Sequence, residues 1–138
     1  MQLEGACLCG SVRYTCDAQP VLTLLCHCTH CQRTSGAPYS VDVAVPRDSI
    51  KITGESASYR DMGDDTGMLV VRQFCPKCGS PIISDVNATP QVLWIKAGSL
   101  HDSSWLTPQM NIWTESAQPW VPMDKNIPCF PRNPPIDS

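Results

Sequence analysis

The segment Cys26-His27-Cys28-Thr29-His30-Cys31 packs three thiols and two imidazoles into six consecutive residues. Two cysteine pairs flank it, Cys7-Leu8-Cys9 upstream and Cys75-Pro76-Lys77-Cys78 downstream. Soft ligands at this density constrain the chain more than any local propensity, because their sulfurs must converge on common centres. The metal that suits them is zinc, which is usually tetrahedral with thiolate sulfurs at about 2.3 Å.

The ligand arithmetic is informative. Cys75-Pro76-Lys77-Cys78-Gly79 has the form of a tight turn that points both sulfurs at one centre, with Gly79 letting the backbone fold back. Cys7 and Cys9 would share a face if extended, because side chains alternate across a strand. Together these four residues make a Cys₄ site that closes a long loop, the case in which a cross-link stabilises most. The central cluster supplies Cys26, Cys28 and Cys31. Three protein ligands with one exchangeable position is how catalytic zinc is usually held. Two zinc ions are therefore expected, one enclosed and structural, the other open. A competing division has His30 as a fourth ligand that closes the central site. His27 would face away from Cys26 and Cys28 on an extended segment. An iron–sulfur cluster is a third reading, but the spacings do not match ferredoxin runs. Cys16 and Cys129 are left over and are expected to be buried or partly buried small residues.

Composition narrows the class. A chain of 138 residues points to one domain. Residues 1–121 are expected to form the zinc-binding domain, and residues 122–138 a Pro-rich tail packed on it or trailing from it. Thirteen prolines argue for loops and strands over long helices. The formal net charge of −3, with scattered lysines and arginines, argues against a nucleic-acid partner. The N-terminal residues lack the basic and apolar regions of a secretory signal, and Val21–Leu25 is too short to cross a membrane. A cytoplasmic protein with no membrane partner is expected. In that compartment nine cysteines fit metal ligands better than disulfides. A secreted disulfide domain is the competing reading.

Short strands are expected at Leu3–Cys9, Val12–Cys16, Val21–His27, Ser40–Val45, Ile50–Thr53, Ala57–Arg60, Met68–Phe74, Pro81–Val86, Val92–Ala97 and Asn111–Thr114. Val12, Tyr14 and Cys16 alternating with Arg13 and Thr15 show the period of a half-buried strand. Thr29–Ser35 suits a single helical turn, and Asp61–Gly67 a turn-rich loop. Helices should be very short.

An open zinc bound by three thiolates carries a net negative charge and is a weak Lewis acid for water. A soft, sulfur-rich centre matches a further thiolate instead, which points to carbon–sulfur bond chemistry.

The chain resembles the glutathione-dependent formaldehyde-activating enzyme and centromere-protein-V family, with its Mss4-like fold: mainly β, with several small antiparallel sheets and zinc sites. The matching stretches are Gly5–Tyr14, Cys26–Arg33, Gly36-Ala37-Pro38, Phe74–Pro81 and Lys96–Leu100, within about residues 3–121. The resemblance implies Cys7, Cys9, Cys75 and Cys78 as structural zinc ligands, and Cys26, Cys28 and Cys31 as catalytic zinc ligands. It implies a carbon–sulfur lyase that condenses glutathione with formaldehyde to S-hydroxymethylglutathione. One departure stands out. Members often have His-Ile before an aromatic residue near the C-terminus, and here the stretch is Asn111-Ile112-Trp113.

Other residues carry two readings. Arg13 and Arg33 could bind a glutathione carboxylate or be solvated surface charges. Lys77 fits a surface charge beside an anionic centre. Trp113 and Trp120 could line a pocket or pack the core. His101-Asp102 reads as a loop. A zinc-stabilised, non-catalytic module that binds glutathione or a protein is the alternative function.

Overall fold

The computed structural model describes residues 2–64 and 66–134. Met1, Asp65 of the expected 61–67 loop and residues 135–138 of the expected tail lie outside them. The strands are β1 (Leu3–Ala6), β2 (Arg13–Cys16), β3 (Leu22–Cys26), β4 (Ser40–Pro46), β5 (Ile50–Thr53), β6 (Ala57–Met62), β7 (Leu69–Phe74), β8 (Pro81–Val86), β9 (Val92–Lys96) and β10 (Met110–Ile112). One short helix, α1 (Thr29–Ser35), links β3 to β4. None of the described helices is long and apolar enough to cross a membrane.

The strands form two sheets, β1-β2-β5 and β10-β3-β4-β9-β8-β7-β6. The protein is mainly β, as expected, with one sheet of three strands and a larger one of seven. Its pairs are antiparallel except β10 with β3, where Met110 to Ile112 run parallel to Leu24 to Cys26. The connection after β9 is long enough for the crossover that a parallel pair needs.

Alternation divides the large sheet into two faces. Val43, Ile95 and Ile83 are register partners on β4, β9 and β8, and each is buried. They pack in one core with Leu3, Tyr14 and Cys16 of the small sheet. Each large apolar side chain there contributes about 1.5–3 kcal/mol. The opposite face carries Leu24, Asp42 and Lys96 in one register row, and Arg72, Ser84 and Trp94 in another. That second face holds the candidate site.

Most strand bounds fall within one residue of expectation; β6 runs two residues further, into the expected 61–67 loop, and β1 and β10 stop two or more residues early. β1 stops at Ala6 because residues 7–10 turn, with the Gly10 N–H donating to the Cys7 carbonyl at 3.1 Å. β10 stops at Ile112 because Trp113 adopts φ 58°, a left-handed conformation rare for a bulky residue. Residues 128–133 lie along β10. The Asn111 N–H donates to the Pro128 carbonyl, and the Phe130 N–H donates to the Asn111 carbonyl, both at 2.9 Å.

Candidate metal centres

The first group joins the β1–β2 turn of the small sheet to the β7–β8 turn of the large one. Residues 7–10 and 75–79 form matching turns. The Gly79 N–H donates to the Cys75 carbonyl at 2.8 Å, and Gly10 and Gly79 take φ of 79° and 78°, a region that favours glycine. Cys7 and Cys9 thus converge through a turn and not along a strand. The sulfurs of Cys7, Cys9, Cys75 and Cys78 lie within 4.8 Å of one another. Cys7 and Cys9 are 3.6 Å apart, and Cys9 and Cys75 3.7 Å. Tetrahedral zinc spaces its sulfurs by about 3.8 Å, so this donor set fits the ion. Backbone N–H groups of Val12 and Lys77 point at the sulfurs of Cys7 and Cys75, at 3.3 and 3.4 Å. Burial pushes the Cys7 thiol up, but the Val12 amide and neighbouring side chains bring it down to about 7. The Ser80 hydroxyl, with backbone groups of Cys9 and Ser80, brings Cys78 down to about 5.

The second group is assembled where β3 meets α1. Cys26 ends the strand, Cys28 caps the helix and Cys31 is its buried residue. The Cys31 N–H donates to the Cys28 sulfur at 3.2 Å. All three sulfurs lie within 4.8 Å of one another, and all three residues are buried. Hydrogen bonds from Cys26 and Cys28 hold the Cys31 thiol far below its ordinary range, and the Lys96 charge adds to this. The same sharing pushes Cys26 up, through Cys28 and then Cys31. None of the nine cysteines is in a disulfide.

Neither histidine joins the three sulfurs. His30 Nδ1 lies 2.7 Å from Asp61 Oδ2, and its Nε2 lies 3.2 Å from Asp64 Oδ1. His27 is buried and its Nε2 lies 2.8 Å from Asn111 Oδ1, while its Nδ1 has no partner among the described residues. Asn111 is itself buried and reaches towards the tail, with Nδ2 3.4 Å from the Asp124 carbonyl. Asn111, the departure from the resemblance, thus meets a buried histidine here.

The three sulfurs open on a cavity of about 290 Å³ on the second sheet face. Two cations sit beside the sulfurs. Lys96 Nζ lies 2.7 Å from Asp42 Oδ1, and Arg72 Nε 3.1 Å from Asp61 Oδ2. Burial works against both charges, and the nearby carboxylates and Cys31 outweigh it, so both are held above their ordinary values. Ser84, the register partner of Arg72 and Trp94, is buried, and its hydroxyl has no partner among the described residues. The remaining wall is apolar: Leu22, Leu24, Val70, Val86, Trp94 and Ile112. Trp113 closes one side, its Nε1–H donating to Asn133 Oδ1 at 3.0 Å.

Other candidates lie elsewhere. Arg33 and Lys77 are exposed and do not line the cavity. Arg13 donates to the Gly10 carbonyl at 2.9 Å, beside the four-sulfur group. Trp120 is 69% exposed. Cys16 is buried as expected, but Cys129 is exposed. Asp42, Asp61, Asp64, Arg72, Ser84 and Lys96 escape sequence reasoning as site residues. A signal exists for two of them. Asp42 and Lys96 are lone charges inside apolar, alternating strands, and such charges are buried only when paired.

A mainly β fold with one four-sulfur and one three-sulfur group defines a cysteine-cluster protein that could hold two metal ions. A family model described as glutathione-dependent formaldehyde-activating enzyme matches residues 2–116, and the chain belongs to that family. A Halomonas elongata protein, provisionally named for the same activity, is 24% identical over 129 residues, covering 90% of this chain and 82% of that protein. A Colletotrichum graminicola protein with the same provisional name is 28% identical over 79 residues, 51% of this chain and 40% of that protein. The crystal structure of a Rhodobacter sphaeroides protein superposes with a TM-score of 0.59 at 16% identity, covering 91% of this chain and 98% of that one. That likeness concerns the fold.

Proposed function

We propose that this protein is a zinc-dependent carbon–sulfur lyase that joins a thiol to a small aldehyde, the reaction class of glutathione with formaldehyde. Cys7, Cys9, Cys75 and Cys78 would hold a structural zinc. Cys26, Cys28 and Cys31 would hold the catalytic one. The observation that carries this reading is the three-sulfur group facing a cavity while Asp61 and Asp64 engage both nitrogens of His30.

Cys26, Cys28 and Cys31 would hold a zinc ion, which would lower the pKa of a thiol bound beside them. The chain supplies the rest. Lys96 and Arg72 offset the negative charge of the clustered thiolates. The cavity walls keep the reacting groups close and limit water. In the reaction the thiol sulfur bonds to the carbonyl carbon. The π pair of the C=O bond moves to oxygen, which takes up the proton the thiol released. No oxidant or reductant is needed.

The test is the rate of thiol–formaldehyde condensation above the spontaneous rate, with glutathione as the reference thiol and zinc-loaded protein. Wild type is expected to accelerate it and Cys28→Ser to lose most of that acceleration. Equal rates would leave a zinc-stabilised binding module.

A further inference from the structure

The cavity beside the three sulfurs is built unlike a site for a charged tripeptide. Glutathione carries two carboxylates and an ammonium group besides its thiol. A carboxylate moved from water into a protein wall needs a cation or several donors to replace its hydration. Each basic group at this cavity already faces an acid: Lys96 faces Asp42, Arg72 faces Asp61, and His30 faces Asp61 and Asp64. The polar side chains are similarly engaged. Thr89 Oγ1 accepts the Trp94 indole N–H at 3.0 Å, and Asn133 Oδ1 accepts that of Trp113. The unpartnered Ser84 hydroxyl is sealed from solvent. Arg13 and Arg33, the cations that sequence suggested for carboxylates, lie off the cavity.

What the wall offers instead is hydrocarbon. Leu22, Leu24, Val86, Trp94 and Ile112 project from neighbouring strands of one sheet face, beside the sulfurs. At about 290 Å³ the space lies at the small end for ligand sites, which run from about 300 Å³ upwards. We infer that the thiol taken by this site carries an apolar, uncharged body that packs against this wall. The inference rests on the proposed thiol–aldehyde chemistry and names its substrate class.

The zinc-loaded protein tests this with 2-phenylethanethiol against glutathione. Two readouts are used: the fluorescence of Trp94 and Trp113 on titration, and condensation with formaldehyde above the spontaneous rate. The apolar thiol is expected to bind at least about tenfold more tightly, the scale of burying one or two large apolar groups, and to show the higher kcat/KM. Val86→Arg is expected to narrow or reverse that preference by placing an unpaired cation in the wall. Glutathione binding as tightly as the apolar thiol would overturn the inference and leave the proposed reaction standing. A preference unmoved by Val86→Arg would also overturn it. No catalysed condensation with either thiol would defeat the proposed reaction, and the fluorescence ranking would still decide the thiol class.

Discussion

His30 Nδ1 and Asp61 Oδ2 lie 2.7 Å apart, joining α1 to β6 across one end of the cavity. This contact ties the imidazole to β6, and His30 stands outside the three-sulfur group. His30→Ala is therefore expected to keep both zinc ions. Zinc content measured against protein concentration is the check. Loss of one ion per chain in that variant would make His30 a ligand and close the proposed open site.

The two sulfur groups should respond differently to mutation. The first brings residues 7–10 to residues 75–79, so a metal held there would cross-link distant parts of the chain. Cys78→Ser is expected to release one zinc and cost on the order of 3 kcal/mol or more in unfolding free energy. Cys28→Ser should release the other zinc with a smaller loss of stability and most of the catalysed rate. Metal content and Tm, read together, separate the two. The reverse ranking in Tm would exchange the structural and catalytic assignments.

Asn111 is a structural link more than a reacting group. Its side chain meets His27 and the Asp124 carbonyl and does not line the cavity. Asn111→Ala would strand a buried imidazole N–H and is expected to cost about 1–3 kcal/mol. The catalysed rate per folded molecule should stay within a few-fold of wild type. A large drop in kcat with unchanged Tm would instead give this position a part in the chemistry.

Asp61 makes stability depend on pH with a definite sign. Burial pushes its carboxyl up, but hydrogen bonds from His30 and Arg72 hold it below the ordinary range. A depressed folded value contributes stability above the unfolded value of about 4, and that contribution is lost as pH falls through the folded one. Urea unfolding of wild type and Asp61→Asn should therefore differ most near neutrality, with the gap closing below about pH 4. A gap that widens on acidification would refute the assignment.

Much of the site was legible from spacing alone. Cys75-Pro76-Lys77-Cys78-Gly79 specifies its turn locally, because proline and glycine restrict or free the backbone at set positions. The grouping of cysteines into four and three matches the sulfurs that meet in space. The helix at Thr29–Ser35 and most strands were readable from alternation and breakers. The parallel docking of β10 was not, since neither its three residues nor their neighbours encode a partner.

Sequence alone determined which side chains could bind a soft metal and which strands would alternate, because both depend on separations of a few residues. Tertiary structure decided which alternating residues share a face. Asp42 meets Lys96 across 54 positions only because β4 and β9 pair in that register. A slip of one residue between these strands would put the two charges on opposite faces. The same register sets hydrocarbon opposite the three sulfurs and gives the cavity its walls. Local chemistry supplied the ligands, and long-range pairing supplied the environment in which they could act.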